Sequence, residues 1–174
     1  MLWFAIPMSA WLLVLCLQDW RTRRLSNWLT LGGAAAALAW RLGRGIPPFA
    51  EGLAGGLLCA ALLIVPFLLH AAGGGDVKML FAVGCLFGKN HAMELLLCIS
   101  LAGLLLAPAM LLAGKASGGR LKHWFRCAFD WRYDRAAGRA ALPGADDERC
   151  RIPFGIAIAA GTWATMLFFV QGVP

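Results

Sequence analysis

Apolar stretches of the length that crosses a lipid bilayer occupy most of this chain. Hydrophobic residues make up 60% of its 174 residues and charged residues 14%, which is too apolar for a soluble domain of this size. The six stretches are residues 1–18, 25–40, 49–70, 71–88, 92–113 and 152–170. A spanning helix needs about 20 apolar residues, and the second and fourth of these stretches are shorter than that. We therefore predict an all-α integral membrane protein with about six transmembrane helices, in one domain over residues 1–174.

The basic residues predict the orientation of these helices. If the N-terminus is outside, the inside segments hold 13 of the 16 lysines and arginines and the outside segments hold three. Positive residues accumulate on the cytoplasmic side of membrane proteins. We therefore predict an N-out, C-out multi-pass protein. Because the basic residues flank apolar stretches, they favour contact with a membrane over contact with nucleic acid.

A glycine run followed by an acid, Gly73-Gly74-Gly75-Asp76-Val77-Lys78, interrupts the apolar sequence. A carboxylate at the edge of so apolar a region is costly to bury and indicates a functional site. The glycines allow the backbone to turn at membrane depth, or another chain to approach closely. The alternative is that Asp76 only caps a helix after a glycine turn. Lys78 has two interpretations of equal weight, anchoring the site electrostatically or reaching to the membrane interface.

A second acid, Asp19, ends the first stretch. The predicted orientation puts Asp19 and Asp76 on the same, cytoplasmic side. Two carboxylates held close together cannot both ionise cheaply, so they share a proton. The ionised carboxylate can activate water as a general base, while the protonated one polarises a scissile carbonyl and later protonates the leaving amine. We predict that they form a catalytic dyad that titrates as a unit. The alternative for Asp19 is a juxtamembrane acid paired with a neighbouring arginine.

The other polar residues fit no competing chemistry. His70, His91 and His123 are scattered without metal-ligand spacing, and no two of the six cysteines are spaced C-x-x-C. The serines lie in no recognisable nucleophile motif. The glycine run lacks the form of a phosphate-binding loop. We therefore predict neither a metal site nor a cofactor.

The long polar stretch at about residues 114–151 is predicted to be a basic cytoplasmic loop. Apolar residues within 121–129 recur at helical spacing, with basic residues between them. This pattern predicts a short amphipathic helix that lies on the anionic cytoplasmic leaflet. The alternative is a docking surface for a protein partner.

Three segments resemble the motifs of a known family. Gly73 to Leu80 matches a G-x-G-D motif, and the segment from Asp19 to Asn27 has an acid, then basic residues, then Leu25-Ser26-Asn27 in place of Ile-Pro-Asn. Ile152-Pro153-Phe154-Gly155 is similar to a third element, to which we assign no role from the sequence. Together they resemble the motifs of the type IV prepilin peptidase family, whose members are integral-membrane aspartyl proteases. The resemblance covers nearly the whole chain.

The resemblance implies an endopeptidase of the inner (cytoplasmic) membrane. Such enzymes remove the short basic leader from type IV prepilins, pseudopilins or archaeal flagellin-like precursors at the cytoplasmic face. It implies catalytic roles for Asp19 and Asp76, with the site shaped by Gly73, Gly75, Lys78 and Asn27. Larger relatives carry an N-terminal domain with paired C-x-x-C zinc motifs linked to N-methylation. This chain resembles the short branch without that domain, so we expect no methyltransferase activity.

Two non-enzymatic interpretations compete with a peptidase. One is an ion- or proton-coupled transporter, because acids inside membrane proteins often bind protons or cations. The positions of both acids at one edge, and the lack of a visible internal repeat, count against it. The other is a membrane subunit of a pilus-assembly machine. Signal-peptide-peptidase and presenilin-type proteases share the G-x-G-D motif, but their acids are on adjacent later spans, whereas here they are on the first and fourth.

Overall fold

The regular structure of the chain is helical throughout the described residues. A computed structural model describes residues 2–22, 25–68, 73–112 and 154–168. Its elements are α1 (Leu2–Thr22), α2 (Asn27–Leu42), α3 (Ile46–Leu68), α4 (Gly74–Phe87), a 3₁₀ turn (Lys89–His91), α5 (Ala92–Leu112) and α6 (Phe154–Phe168). The prediction of an all-α structure is confirmed for these residues. The loop at 114–151, with the amphipathic helix predicted in it, lies outside the described residues.

Two of the described helical segments, Ile46–Ile64 and Lys89–Met110, are long and apolar enough to cross a membrane. The apolar helix α6 is shorter, at 15 residues. One side of α5 is buried through Leu95 and Ile99, whereas the opposite side is an exposed apolar stripe. That stripe consists of Met93, Leu97, Leu101, Leu104 and Leu105. A continuous exposed apolar surface of this kind is suited to contact with lipid. The number of spans and the N-out orientation stay predictions from the charge distribution.

Proline and glycine set the helix ends on one side of the bundle. A turn at Gly45, with φ of 120°, separates α2 from α3. Helix α3 then begins at Ile46, three residues before the predicted start at 49, because Pro47 and Pro48 fit a first helical turn whose N–H groups need no partner. At the end of α4, Gly88 has φ of 77° and its N–H donates to the Gly84 carbonyl at 2.8 Å. Glycine adopts a positive φ at little steric cost, so it can end the helix in this conformation.

Arg41 connects three helices at this same end. Its Nη1 donates to the Pro48 carbonyl at 3.1 Å, and its Nη2 donates to the Leu86 carbonyl at 2.8 Å. A Cβ atom at Gly52 or Gly88 would collide with the arginine side chain. The Arg41 guanidinium therefore joins α2 to the start of α3 and to the last turn of α4, where helical carbonyls lack partners within the helix.

Helices α3 and α4 are packed backbone against backbone. A Cβ atom added at Gly55 would lie 2.7 Å from the Gly84 carbonyl oxygen, and one added at Gly84 would lie 2.7 Å from the Gly55 carbonyl oxygen. No side chain fits between helices whose backbones are so close. Small residues allow this approach in membrane helices.

The described helices form two closely packed groups. Helices α2, α3 and α4 pack on one another, and α1 packs along α6. Helix α6 also contacts α4 and so joins the groups. A shared apolar core lies between them, built from Leu12, Leu15, Cys59, Leu63, Met79, Leu80, Val83, Leu95, Ile99 and Ile158. The chain divides into two compact units, and this helical core belongs to the unit formed by Met1–Leu105 and Pro153–Pro174. The other unit is Leu106–Ile152, of which 106–112 are described.

Candidate active site

Asp19 lies in the last turn of α1 and is buried. The helix continues to Thr22, beyond the predicted end at 18, so Asp19 belongs to the helix rather than following it. Its side chain is 5% exposed, and its Oδ2 accepts a hydrogen bond from the Gly155 N–H at 3.0 Å. A buried carboxylate is tolerated only when hydrogen bonds replace those it had with water. For Asp19 this hydrogen bond comes from the first turn of α6, more than a hundred residues further along the chain.

Asp76 is the third residue of α4 and forms a reciprocal cap with Gly73. The Gly73 N–H donates to Asp76 Oδ2 at 3.2 Å, and the Asp76 N–H donates to the Gly73 carbonyl at 3.1 Å. A carboxylate in the first turn also interacts favourably with the helix dipole. The capping contact foreseen as the alternative role of Asp76 is thus present. It orients the carboxylate and is compatible with both a structural and a catalytic role.

The short segment after α1 contacts the beginning of α4. A Cβ atom added at Gly75 would lie 2.9 Å from the Leu25 Cβ, so the absence of a side chain lets these backbones meet. Lys78 Nζ donates to Asn27 Oδ1 at 2.8 Å. The two acid-bearing segments of the sequence therefore touch, and Asp19 and Asp76 belong to the same end of the bundle. The bond from Lys78 agrees with the anchoring interpretation of that residue.

The segment that follows Asp19 is also attached to its own helix. The Ser26 N–H donates to Gln18 Oε1 at 3.4 Å. Thr30 in the first turn of α2 donates to the Ser26 carbonyl at 3.1 Å. The segment between α1 and α2 is thus hydrogen-bonded to both helices through Ser26, although the proline of the family pattern is missing.

Gly155 is the site residue to which sequence reasoning gave no role. It lies in the first turn of α6, next to Phe154, and is buried. The sequence signal was the tetrapeptide Ile152-Pro153-Phe154-Gly155, in which a proline and a glycine stand together at the start of the last apolar stretch. Ile152 and Pro153 lie outside the described residues, whereas Gly155 contacts a predicted catalytic acid directly.

The arrangement supplies two carboxylates, one buried and one half-buried, each oriented by a backbone N–H. Carboxylates of this kind serve as general acid and general base in hydrolysis. Within the described ranges, no three His, Cys, Asp or Glu side chains are grouped so that they would hold a metal ion.

A comparison with protein families agrees with this geometry. The model of the type IV leader peptidase family matches residues 6–108, a range that includes Asp19, Asn27 and the whole glycine–aspartate segment. No curated protein and no solved structure matches the chain. The matched range is more than half of the 174 residues. On this match, and with both acid-bearing segments in contact, the chain belongs to the type IV leader peptidase family.

Proposed function

We propose that this protein is an aspartic-type endopeptidase that removes the short basic leader from prepilin-like precursors at the cytoplasmic face of the inner membrane. The observation that carries the proposal is the contact between the Asp19 and Asp76 segments in a chain of the leader peptidase family. The substrate class comprises type IV prepilins, pseudopilins and archaeal flagellin-like precursors.

In the proposed reaction the two acids share one proton and act on a bound water. The ionised carboxylate takes a proton from the water as its oxygen attacks the scissile carbonyl carbon. The protonated carboxyl gives its proton to the carbonyl oxygen, which yields a neutral tetrahedral diol. Collapse of the diol returns a proton to the dyad and breaks the C–N bond, while the other carboxyl protonates the departing amine. Leader and mature protein leave, and the dyad again holds one proton.

Apolar contact supplies most of the binding energy in this proposal. The leader is basic, and so are the segments assigned to the cytoplasmic side, so electrostatic attraction does not hold it. The apolar segment behind the leader packs laterally against lipid-facing helices instead. The exposed stripe on α5 is one surface of suitable character.

Leader cleavage by three proteins tests the proposal. Wild type, Asp19→Asn and Asp76→Asn are co-expressed with candidate prepilins, and leader removal is followed by gel mobility and mass. We expect cleavage by wild type and loss of at least about a thousandfold in each variant, since triad and dyad members act as a unit. Glu51→Gln is the matched control, because Glu51 is a half-buried acid near the start of α3, at the Arg41 end of the bundle and away from both aspartates. It is expected to cut normally.

The outcomes distinguish the competing functions. Cleavage that survives in either aspartate variant would refute the dyad and keep a peptidase. Absence of cleavage for every correctly inserted candidate would favour a transporter or an assembly subunit. Transfer of a labelled methyl group to the mature protein would contradict the expected absence of methyltransferase activity.

A further inference from the structure

The hydrogen bond between Gly155 and Asp19 joins a free donor to a buried acceptor. Gly155 is the second residue of α6, and the first four N–H groups of a helix have no partner within it. Its N–H meets the Asp19 Oδ2 at 3.0 Å. The positive end of the helix dipole adds to this attraction, and a hydrogen bond to a charged group is stronger than a neutral one. Such a contact favours the ionised carboxylate.

Position 155 has no room for a side chain while the Asp19 carboxylate keeps its place. A Cβ atom there would lie 2.7 Å from Asp19 Oδ2 and 3.1 Å from its Cγ. Any other side chain forces either the carboxylate or the helix to move. The Gly155 carbonyl also lies 3.9 Å from the Cys16 sulfur, one turn before Asp19. Both backbone polar groups of Gly155 therefore contact side chains of α1.

The position of α6 along α1 is fixed by contacts further from the acid. Trp163 Nε1 donates to Ser9 Oγ at 3.3 Å, about two turns along α6 from Gly155. On the α5 side, a Cβ atom at Gly161 would lie 2.5 Å from the Ile99 Cα. These contacts keep the first turn of α6 level with the last turn of α1.

The two acids are held in different ways. Asp76 is oriented by the cap of its own helix, through Gly73. Asp19 is oriented across a helix–helix interface, so its direction depends on where α6 lies. A displacement of about 1 Å in a catalytic group can cost about a hundredfold in rate.

We propose that Gly155 is a positioning residue of the peptidase. Its N–H holds the Asp19 carboxylate in the reactive orientation, and its lack of a side chain makes that contact possible. The inference rests on the proposed function and adds a third segment of the chain to the site.

The first experiment measures the pH dependence of leader cleavage by purified full-length Gly155→Ala. We expect kcat to fall about a hundredfold and the acid limb of the kcat/KM profile to move to higher pH, because the ionised carboxylate loses the hydrogen bond from Gly155. The other charged or titratable groups on the described helices that pack against α6 are Cys16 and Arg21 on α1, Asp76, Lys78 and Cys85 on α4, and Glu94 and Cys98 on α5; α6 has none in its described range. None of these is altered by the substitution.

Gly56→Ala is the matched control for a tight helix contact that does not involve α6. Its Cβ would lie 2.5 Å from the Cys85 sulfur, between α3 and α4, which is as close as the contact that Gly155→Ala creates. We expect it to lower the amount of active protein without moving the pH profile. If Gly155→Ala behaves in the same way as Gly56→Ala, Gly155 is only structural and the inference is refuted.

A second experiment detects the contact without measuring activity and without altering Gly155. In protein labelled with ¹⁵N-glycine, the Gly155 amide proton is expected to resonate downfield, and Asp19→Asn should shift it upfield. An unchanged resonance overturns the inference. If the wild-type protein cuts leaders and Gly155→Ala cuts them at the full rate, the inference is refuted and the proposed function stands. A wild type that cuts no leader overturns the proposed function and the catalytic meaning of the contact with it.

Discussion

The hydrogen bond from Lys78 to Asn27 offers a quantitative test of how the two acid-bearing segments are joined. The bond is short, at 2.8 Å, but Asn27 is exposed and Lys78 is only half-buried. A net contribution of about 0.5–1 kcal/mol is therefore reasonable for the pair, the lower part of the usual range. At about 1.4 kcal/mol for each tenfold change in rate, this is about two- to fivefold in kcat/KM.

The perturbation is a double-mutant cycle. Lys78→Met keeps the length of the side chain and removes its donors, and Asn27→Ala removes the acceptor. We expect each single variant to lose about two- to fivefold in kcat/KM for leader cleavage, and the double variant to lose no more than the worse single one, because both remove one interaction. Asn27→Asp is the control. It keeps an acceptor for Lys78 and should retain the wild-type rate.

Two results would refute this reasoning. If the losses in the two single variants multiply in the double variant, the bond does not couple the segments. If Lys78→Met alone loses more than about a hundredfold, which is about 2.7 kcal/mol, Lys78 takes part in the chemistry and is not merely an anchor. The rates are measured on purified protein in lipid, with equal amounts of folded enzyme.

Two further substitutions separate activity from stability. Gly75→Ala is expected to lower kcat/KM at least about fivefold, because its Cβ would lie 2.9 Å from that of Leu25 and overpacking of this kind costs about 1–3 kcal/mol. Gly32→Ala, whose Cβ would meet no atom of the described residues within 4 Å, should cut at the wild-type rate; equal rates for both variants would contradict this reasoning. Arg41→Ala is expected to lower the free energy of unfolding by about 2–3 kcal/mol through its lost carbonyl contacts, as measured by denaturation in mixed micelles, with Arg41→Lys intermediate. A large fall in kcat for folded Arg41→Ala would show that this distant end influences the site.

Much of the helical plan followed from apolar length alone, whereas the helix ends did not. The predicted stretch at 25–40 became Asn27–Leu42, and the one at 71–88 became Gly74–Phe87. Hydropathy records which residues can enter a membrane, but a helix ends where its terminal N–H and carbonyl groups find partners. Gly73 illustrates this, since its bonds with Asp76 define the start of α4.

The candidate site divides in a similar way. The predicted residues Gly73, Gly75, Asn27 and Lys78 all make contacts between or within the two acid-bearing segments. Their proximity in sequence to an acid made them identifiable. Gly155 could not be assigned, because its contact depends on the packing of α6 along α1, and nothing in a single sequence reports that register.

The division of the helices into a pair, α1 with α6, and a trio, α2 with α3 and α4, has a consequence for inhibition. The backbone contact between α3 and α4 favours a trio that moves as one body, and we expect Asp76, in the first turn of α4, to move with it. Asp19 is attached to the pair. In the proposed mechanism, catalysis therefore requires the pair and the trio to stay seated against each other. A lipophilic compound that enters between them from the bilayer is expected to move the two acid-bearing segments apart and to stop the proposed hydrolysis without imitating a peptide.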